Sequence, residues 1–113
     1  MEAAIAYWHT NKTDHIEKWK NILQLYTQLL LIEYSPIIAL NRIYALSKAN
    51  GKEKAIIEAE KLKLEDNHIY FTLIGHLYIG IDIKIVKANF QKALSLAKTL
   101  ADKQIIQAKI EKL

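Results

Sequence analysis

The stretch EYSPIIALNRIYALSKANGKEKA, residues 33–55, carries a start signal, an apolar body and a stop signal for one helix. Ser35 is a favourable N-cap, and Pro36 fits the first helical position because its missing N–H has no partner to lose there. Asn50-Gly51 closes the run, since glycine tolerates the left-handed conformation that often follows a helix. The stretch therefore predicts a helix over residues 36–50.

Helical spacing continues on both sides of this stretch. Before it, apolar residues alternate steps of three and four and so form one helical stripe of Ile16, Trp19, Leu23, Tyr26 and Leu30. No run shows strict two-residue alternation between turn signals, so a sheet is not expected. We expect one all-α domain over residues 1–113 with six or seven helices, at 14–33, 36–50, 53–64, 68–80, 83–98 and 101–112.

Candidate caps support these helix boundaries. Asp14 followed by Glu17 is a plausible capping pair for the first helix. Further along the chain, the residues able to cap the last three helices are Asp66 or Asn67, Asp82 and Asp102.

One pair of the predicted helices carries a repeat signature. Ile74-Gly75-x-x-Tyr78 is followed by Phe90-x-x-Ala93-Leu94. Glycine lets two helices approach closely, and the aromatic residues then fill the space beside it. The pattern resembles the tetratricopeptide repeat, with a connection about one residue shorter than usual. The resemblance implies antiparallel helix pairs in a tetratricopeptide-like, right-handed helical array, with packing roles for Gly75, Tyr78, Phe90 and Ala93.

Composition excludes several classes of protein. The chain has 113 residues and no cysteine, which rules out disulfides and thiolate chemistry. Its longest uncharged stretch, residues 68–81, is shorter than the roughly 20 residues that span a bilayer. The start MEAAIAYWHT has neither a basic region nor a long apolar core, so it is not a secretory signal. We therefore expect a cytoplasmic protein without a membrane segment.

Positive charge is concentrated near the end of the chain. The net charge is +4, and residues 83–113 carry seven lysines against Asp102 and Glu111. Such a region can meet a phosphate backbone or an acidic partner, although dispersed lysines more often form a solvated face. Weak nucleic-acid binding by the basic C-terminal helices therefore remains an alternative.

No motif for catalysis or metal binding is present. The histidines His9, His15, His68 and His76 have no i, i+4 pair and no adjacent carboxylate cluster. The sequence lacks a glycine-rich phosphate loop, a nucleophile elbow and a paired-carboxylate motif. Neither an enzyme nor a cofactor, metal or small-molecule site is expected.

Asn41 and Arg42 are unusual inside an apolar helix, because Arg42 is the chain's sole arginine. Adjacent helical residues lie about 100° apart, so at most one of the two can share the apolar face. Asn41 can bond a neighbouring turn and fix the crossing of two helices. Arg42 can pair with a carboxylate such as Glu17 or Glu33, or stay free for a partner. Scaffold and docking roles both remain open.

Several segments together resemble a known family. In order they are AAIAYWHT at 3–10, Trp19, LYTQLL at 25–30, SPIIALNRIYAL at 35–46, Gly51 and FQKALSLA at 90–97. Their order resembles the long C-terminal extension of a group of extracytoplasmic-function RNA polymerase sigma factors. The residue-by-residue matches are Ala3, Ala4, Ile5 and Ala6 with His9, and Ser35-Pro36 with Leu40-Asn41-Arg42. The chain departs from the pattern at Ile43, where alanine is usual, and by lysines where arginines are usual.

The resemblance implies a function in bacterial transcription initiation. In such sigma factors the promoter-reading and core-binding regions lie upstream, so this chain is expected to be a C-terminal fragment of a longer protein. It is expected to regulate in cis, through contacts with upstream sigma regions or the RNA polymerase core, and to reach promoter DNA only through the missing regions. The motif Ser35, Pro36, Leu40, Asn41 and Arg42 then takes a structural or docking role. The alternative is a free-standing tetratricopeptide-like adaptor that binds a peptide or protein.

Overall fold

A computed structural model of the protein describes residues 16–113, and this part of the chain is all-helical. The six helices are α1 (Ile16–Ile32), α2 (Pro36–Asn50), α3 (Lys52–Leu62), α4 (His68–Tyr78), α5 (Ile83–Leu96) and α6 (Leu100–Glu111). No strand occurs within the described range. The all-α prediction is confirmed, and the helices begin and end within two residues of their predicted bounds. None of the described helices is long and apolar enough to cross a membrane.

The helices belong to two compact units, one ending at Ala59 and the other running from Glu60 to Leu113. Each unit contains an antiparallel helix pair, α1 with α2 in the first and α4 with α5 in the second. The prediction of packed antiparallel pairs is therefore confirmed. The right-handed array and the single domain over residues 1–113 stay predictions.

The first unit is held together by aromatic side chains of α1 that lie against small residues of α2. Its buried cluster contains Trp19, Ile22, Tyr26, Ala45 and Ala49. Alanine leaves room for a bulky partner, and Tyr26 is completely buried. These contacts remove large apolar areas from water, which is the main favourable contribution to folding.

The buried face of α1 is rotated slightly from the predicted stripe. Ile16 is 58% exposed, whereas Ile22, outside the predicted stripe, is buried. Trp19, Ile22 and Tyr26 keep helical spacing among themselves, so the predicted helical periodicity is correct. The buried face is centred on a different line of residues from the predicted one. Ile16 is the first residue of α1.

Two of the predicted N-cap residues cap their helices in the structure, and a third does not. Asn67 Oδ1 accepts hydrogen bonds from the backbone N–H groups of Ile69 and Tyr70, and Asp82 caps α5 in the same way. The prediction of Asp102 as a cap is wrong. Thr99 is the N-cap of α6, and its hydroxyl oxygen accepts from the Asp102 N–H at 3.1 Å. Asp102 lies in the first turn, where its negative charge complements the helix dipole.

Two further predicted caps have different outcomes. Gly51 ends α2 with φ +100°, and its N–H donates to the Ser47 carbonyl oxygen at 3.1 Å. This backbone conformation favours glycine, as the sequence predicted. Asp14, the other half of the proposed pair with Glu17, lies outside the described residues.

The second unit depends on a close approach between α4 and α5 at Gly75. A Cβ atom placed on Gly75 would lie only 2.5 Å from the ring atoms Cδ1 and Cε1 of Phe90. Phe90 is buried at 1% exposure, so its ring has little room to move. α6 packs on α5 through a smaller cluster of Ala93, Ala97 and Ile106.

We expect Gly75→Ala to lower the free energy of unfolding by up to about 2 kcal/mol. Overpacking against Phe90 is worth about 1–3 kcal/mol, and the better helix propensity of alanine returns only about 1 kcal/mol. The measurement is chemical denaturation of the wild type, of Gly75→Ala, of Phe90→Leu and of the double variant. In the Phe90→Leu background the ring is gone, so Gly75→Ala should lose most of its effect. Equal losses in both backgrounds would contradict the proposed contact.

Candidate functional site

Arg42 joins the two helices of the first unit by a side-chain hydrogen bond. Its Nε–H on α2 donates to the hydroxyl oxygen of Thr27 on α1 at 2.9 Å. The Thr27 hydroxyl in turn donates to the Leu23 carbonyl oxygen at 2.8 Å. The partner of Arg42 among the described residues is thus a hydroxyl group, whereas the two alternatives that the sequence left open were a carboxylate such as Glu17 or Glu33 and a free guanidinium group. The contact gives Arg42 a part in holding α1 against α2.

Asn41 has a buried donor for which residues 16–113 supply no acceptor. Its Nδ2 atom is inaccessible to water and makes no hydrogen bond to this part of the chain. The sequence allowed a bond from Asn41 to a neighbouring turn, and its amide nitrogen makes no such bond to the described residues. Burying an unsatisfied polar group costs about 1–3 kcal/mol. At this nitrogen, Asn41 therefore lowers the stability of the unit.

Helical geometry explains why Asn41 and Arg42 are neighbours in the sequence. The line of α2 residues that faces α1 contains Ile38, Ala45 and Ala49, which pack in the first-unit core. With 100° per residue, Asn41 falls about 60° to one side of this line and Arg42 about 40° to the other. The two polar residues therefore flank one helix–helix interface, Arg42 at its bonded edge and Asn41 at the opposite edge.

The remaining residues of the predicted motif shape the start of α2. Ser35 occupies the N-cap position, but its side chain makes no capping bond, and its carbonyl oxygen accepts from the Ala39 N–H at 2.9 Å. Pro36 is the first helical residue, as predicted. Leu40 is buried at 3% exposure, so it contributes to packing and has almost no surface for a partner.

An exposed apolar patch precedes this motif, formed by Leu31, Ile32 and Tyr34. Leu31 is 83% exposed, Ile32 is 82% exposed and Tyr34 is 60% exposed. The sequence analysis did not identify this patch, although it contained a signal. Residues 29–32 read LLLI, and four consecutive residues cover every side of a helix. One helix face cannot bury all four, so some must point to solvent.

In the second unit the structure brings together some of the predicted packing residues. Phe90 lies against Gly75, and Ala93 is fully buried on the same helix as Phe90. Tyr78 has a different partner, because its hydroxyl donates to the Glu60 Oε1 atom at 2.8 Å. This hydrogen bond, followed by burial, raises the pKa of Tyr78. Gly75, Phe90 and Ala93 therefore have packing roles in the structure, whereas Tyr78 contributes a hydrogen bond.

Potential metal ligands are not clustered in the described part of the chain. Within residues 16–113, no three His, Cys, Asp or Glu residues are placed to hold a metal ion. His68 Nε2 does lie 3.5 Å from Asp102 Oδ2, which joins the first turns of α4 and α6 beside a cavity of about 150 Å³. Residues this far apart in the sequence have no spacing signal, so the pairing was not predictable. His9, His15 and the Ala3–Ala6 segment lie outside the described residues.

Comparisons with known proteins return one relative of interest. The chain is 30% identical over 118 aligned residues to "Uncharacterized protein R00370" of Rhizobium meliloti (strain 1021). The alignment covers all of this chain and 28% of that protein, so the chain spans little more than a quarter of its relative. No family model and no solved structure matches the chain.

We expect Thr27→Val to lower the free energy of unfolding by about 1 kcal/mol, because Arg42 Nε–H then loses its acceptor inside the first unit. Arg42→Ala should cause a similar loss, and the double variant should lose less than the sum of the two. Urea denaturation measures all three. Thr72→Val is the matched control, since the Thr72 hydroxyl bonds only the His68 carbonyl oxygen of its own helix. Additive effects of Thr27→Val and Arg42→Ala would show that the bond contributes nothing.

We expect Asn41→Leu to raise the free energy of unfolding by about 1 kcal/mol. Leucine has the same branched arrangement of side-chain heavy atoms and removes a buried donor that has no acceptor. Thermal and urea denaturation of the two proteins measure the change. Asn41→Asp is the informative companion, because it keeps the shape, removes the donor and adds a charge, and should be less stable than Asn41→Leu. A loss of more than about 1 kcal/mol in Asn41→Leu would mean that the amide is bonded in solution.

Proposed function

We propose that this chain is a regulatory interaction domain of an extracytoplasmic-function RNA polymerase sigma factor. It acts in cis, inside the cytoplasm of a bacterium, on transcription initiation. Its partners are the upstream regions of the same polypeptide or the RNA polymerase core, and promoter DNA is read by the upstream regions alone. The domain itself carries out no chemistry.

The observation that carries an interaction function is the apolar patch. Leu31 and Ile32 are both more than 80% exposed, and Tyr34 lies beside them in the sequence. Scattered exposed apolar residues are normal, whereas adjacent bulky ones mark surfaces that a partner covers. The patch leads directly into Ser35-Pro36, the most family-specific part of the sequence. A docking role is therefore assigned to the connection between α1 and α2 rather than to Arg42.

Two further observations support the sigma-factor assignment. The motif Ser35-Pro36 with Leu40-Asn41-Arg42 resembles the sigma-factor extension, and in the structure it forms the start of α2 and both edges of the α1–α2 interface. The relative R00370 is a polypeptide several times longer than this chain, and the aligned region is 28% of it. A domain that works in cis needs such a longer polypeptide around it.

A free-standing adaptor is the first alternative, because the same patch can bind a separate protein. The two functions differ in the reading frame that precedes the codon for Met1. A sigma-factor extension requires promoter-reading and core-binding regions upstream in the same frame. An in-frame stop codon directly before residue 1 would favour the adaptor.

Nucleic-acid binding is the second alternative, and the surface of α5 favours it. Lys84, Lys87 and Lys92 are exposed on this helix, which contains no acidic residue. Contacts between several lysines and phosphates weaken steeply as salt increases. Weak, sequence-independent and salt-sensitive binding is the outcome that this surface supports.

We expect Leu31→Gln/Ile32→Gln to reduce transcription by the full-length protein by about tenfold, because the patch loses apolar contact area worth more than about 1.4 kcal/mol. Run-off transcription with RNA polymerase core measures the effect. The melting temperature should stay nearly unchanged, since both side chains already face water. Leu100→Gln is the matched control, because Leu100 is 71% exposed and lies in the second unit. Unchanged transcription by the double variant would remove the docking role.

A further inference from the structure

A pocket opens on the surface of the second unit, at the connection between α3 and α4. Its volume is about 490 Å³, and its lining residues are Lys63, Glu65, Asp66, Tyr70, Phe71 and Lys92. This volume lies in the range of small-molecule sites, about 300–1,000 Å³. The sequence gave no indication of the pocket, because Lys92 lies on α5 and the other lining residues belong to a segment more than twenty positions earlier.

The backbone of one wall is fixed by local hydrogen bonds. Lys63 adopts a left-handed conformation with φ +49°. The Glu65 N–H donates to the Lys63 carbonyl oxygen at 3.0 Å, and the Asn67 N–H donates to the Leu64 carbonyl oxygen at 3.2 Å. Asn67 then caps α4. The turn that presents the Lys63, Glu65 and Asp66 side chains is therefore defined before any ligand arrives.

Aromatic rings form the floor of the pocket. Tyr70 is buried, and the Phe71 ring meets it edge to face with centroids 5.2 Å apart. Burial is the main cause that raises the pKa of Tyr70, with Glu60 and Glu65 adding to it. Tyr70 is therefore neutral at physiological pH. The floor offers apolar ring surface and adds no net charge of its own.

The rim carries both signs of charge in equal number. Lys63 and Lys92 supply two cations, and Glu65 and Asp66 supply two anions. Within residues 16–113, none of these four side chains is engaged in an ion pair. A ligand with a single charge is attracted by one pair and repelled by the other. A ligand with an ammonium and a carboxylate can place each group beside its opposite.

We propose that this pocket binds a free amino acid with a large apolar side chain. The carboxylate lies near Lys63 and Lys92, the ammonium group lies near Glu65 and Asp66, and the side chain lies on the rings of Tyr70 and Phe71. Because the four charged groups are exposed, each contact is weak and the dissociation constant is on the order of millimolar. The site is separate from the apolar patch and adds a small-molecule ligand to the proposed function.

The test is titration of the ¹⁵N-labelled 113-residue chain with L-phenylalanine, followed by amide chemical shifts. We expect saturable shifts of the amides in residues 63–71 and around Lys92. N-acetyl-phenylalanine lacks the cation and phenylalanine amide lacks the anion, so each should bind at least about fivefold more weakly. The absence of saturable shifts up to about 20 mM phenylalanine, or equal binding of all three compounds, would overturn the proposal.

Two matched double variants assign the binding to the pocket. Lys63→Asn/Lys92→Gln removes both cations, and asparagine tolerates the left-handed backbone at position 63. It should weaken phenylalanine binding by at least about fivefold and should not weaken binding of phenylalanine amide, because the two lysines repel the cation of the amide. Lys84→Gln/Lys87→Gln removes the same charge from exposed positions outside the pocket and should leave both affinities unchanged. Equal effects of the two variants would mean that binding depends on the net charge of the protein and not on the pocket, which would overturn the proposal.

Discussion

The fit of large aromatic side chains against small residues on a neighbouring helix is the constraint on which both units depend. In the first unit Trp19 and Tyr26 pack in one core with Ala45 and Ala49. In the second unit the Phe90 ring occupies the space that a side chain at Gly75 would need. A short helix buries too little area to be stable alone, and a close partner supplies the missing burial. The positions of the small residues therefore decide which helix faces meet and how closely.

Two polar residues of α2 lie at the edges of the α1–α2 interface, and they change the stability of the first unit in opposite directions. The Nε–H group of Arg42 donates to the Thr27 hydroxyl group, which is itself bonded to the backbone of α1. The guanidinium group therefore has a partner inside the first unit. Asn41 lies at the other edge, and its amide nitrogen is buried without a partner in the described part of the chain. Native proteins contain few such groups, and each calls for an explanation. The buried amide nitrogen of Asn41 lowers the stability of the first unit. Holding α1 against α2 therefore does not explain it, and contacts with groups other than residues 16–113 would.

The sequence was sufficient for features that depend on near neighbours along the chain. Helix positions, the glycine at position 51 and the caps Asn67 and Asp82 follow from local periodicity and backbone chemistry. Asp102 was misassigned because Thr99, three residues earlier, offers the same kind of bond. The partner of Arg42 depends on the rotation of α1 about its own axis. Local sequence patterns predict that rotation only to within a fraction of a helical turn. The surface pocket needs α5 beside the α3–α4 connection, and no spacing along the chain encodes that arrangement.

If a partner covers the exposed pair Leu31 and Ile32, as proposed, the same pair has a consequence for how long the domain survives in a cell. Chaperones and proteases continuously sort chains that present apolar surface, and contiguous apolar surface favours aggregation. A copy whose patch stays uncovered is a better substrate for this quality control than one whose patch is buried against a partner. With the proposed docking, abundance would follow assembly, because molecules bound to a partner would persist and unbound ones would be removed. The two side chains would then set the amount of the protein without any dedicated degradation signal.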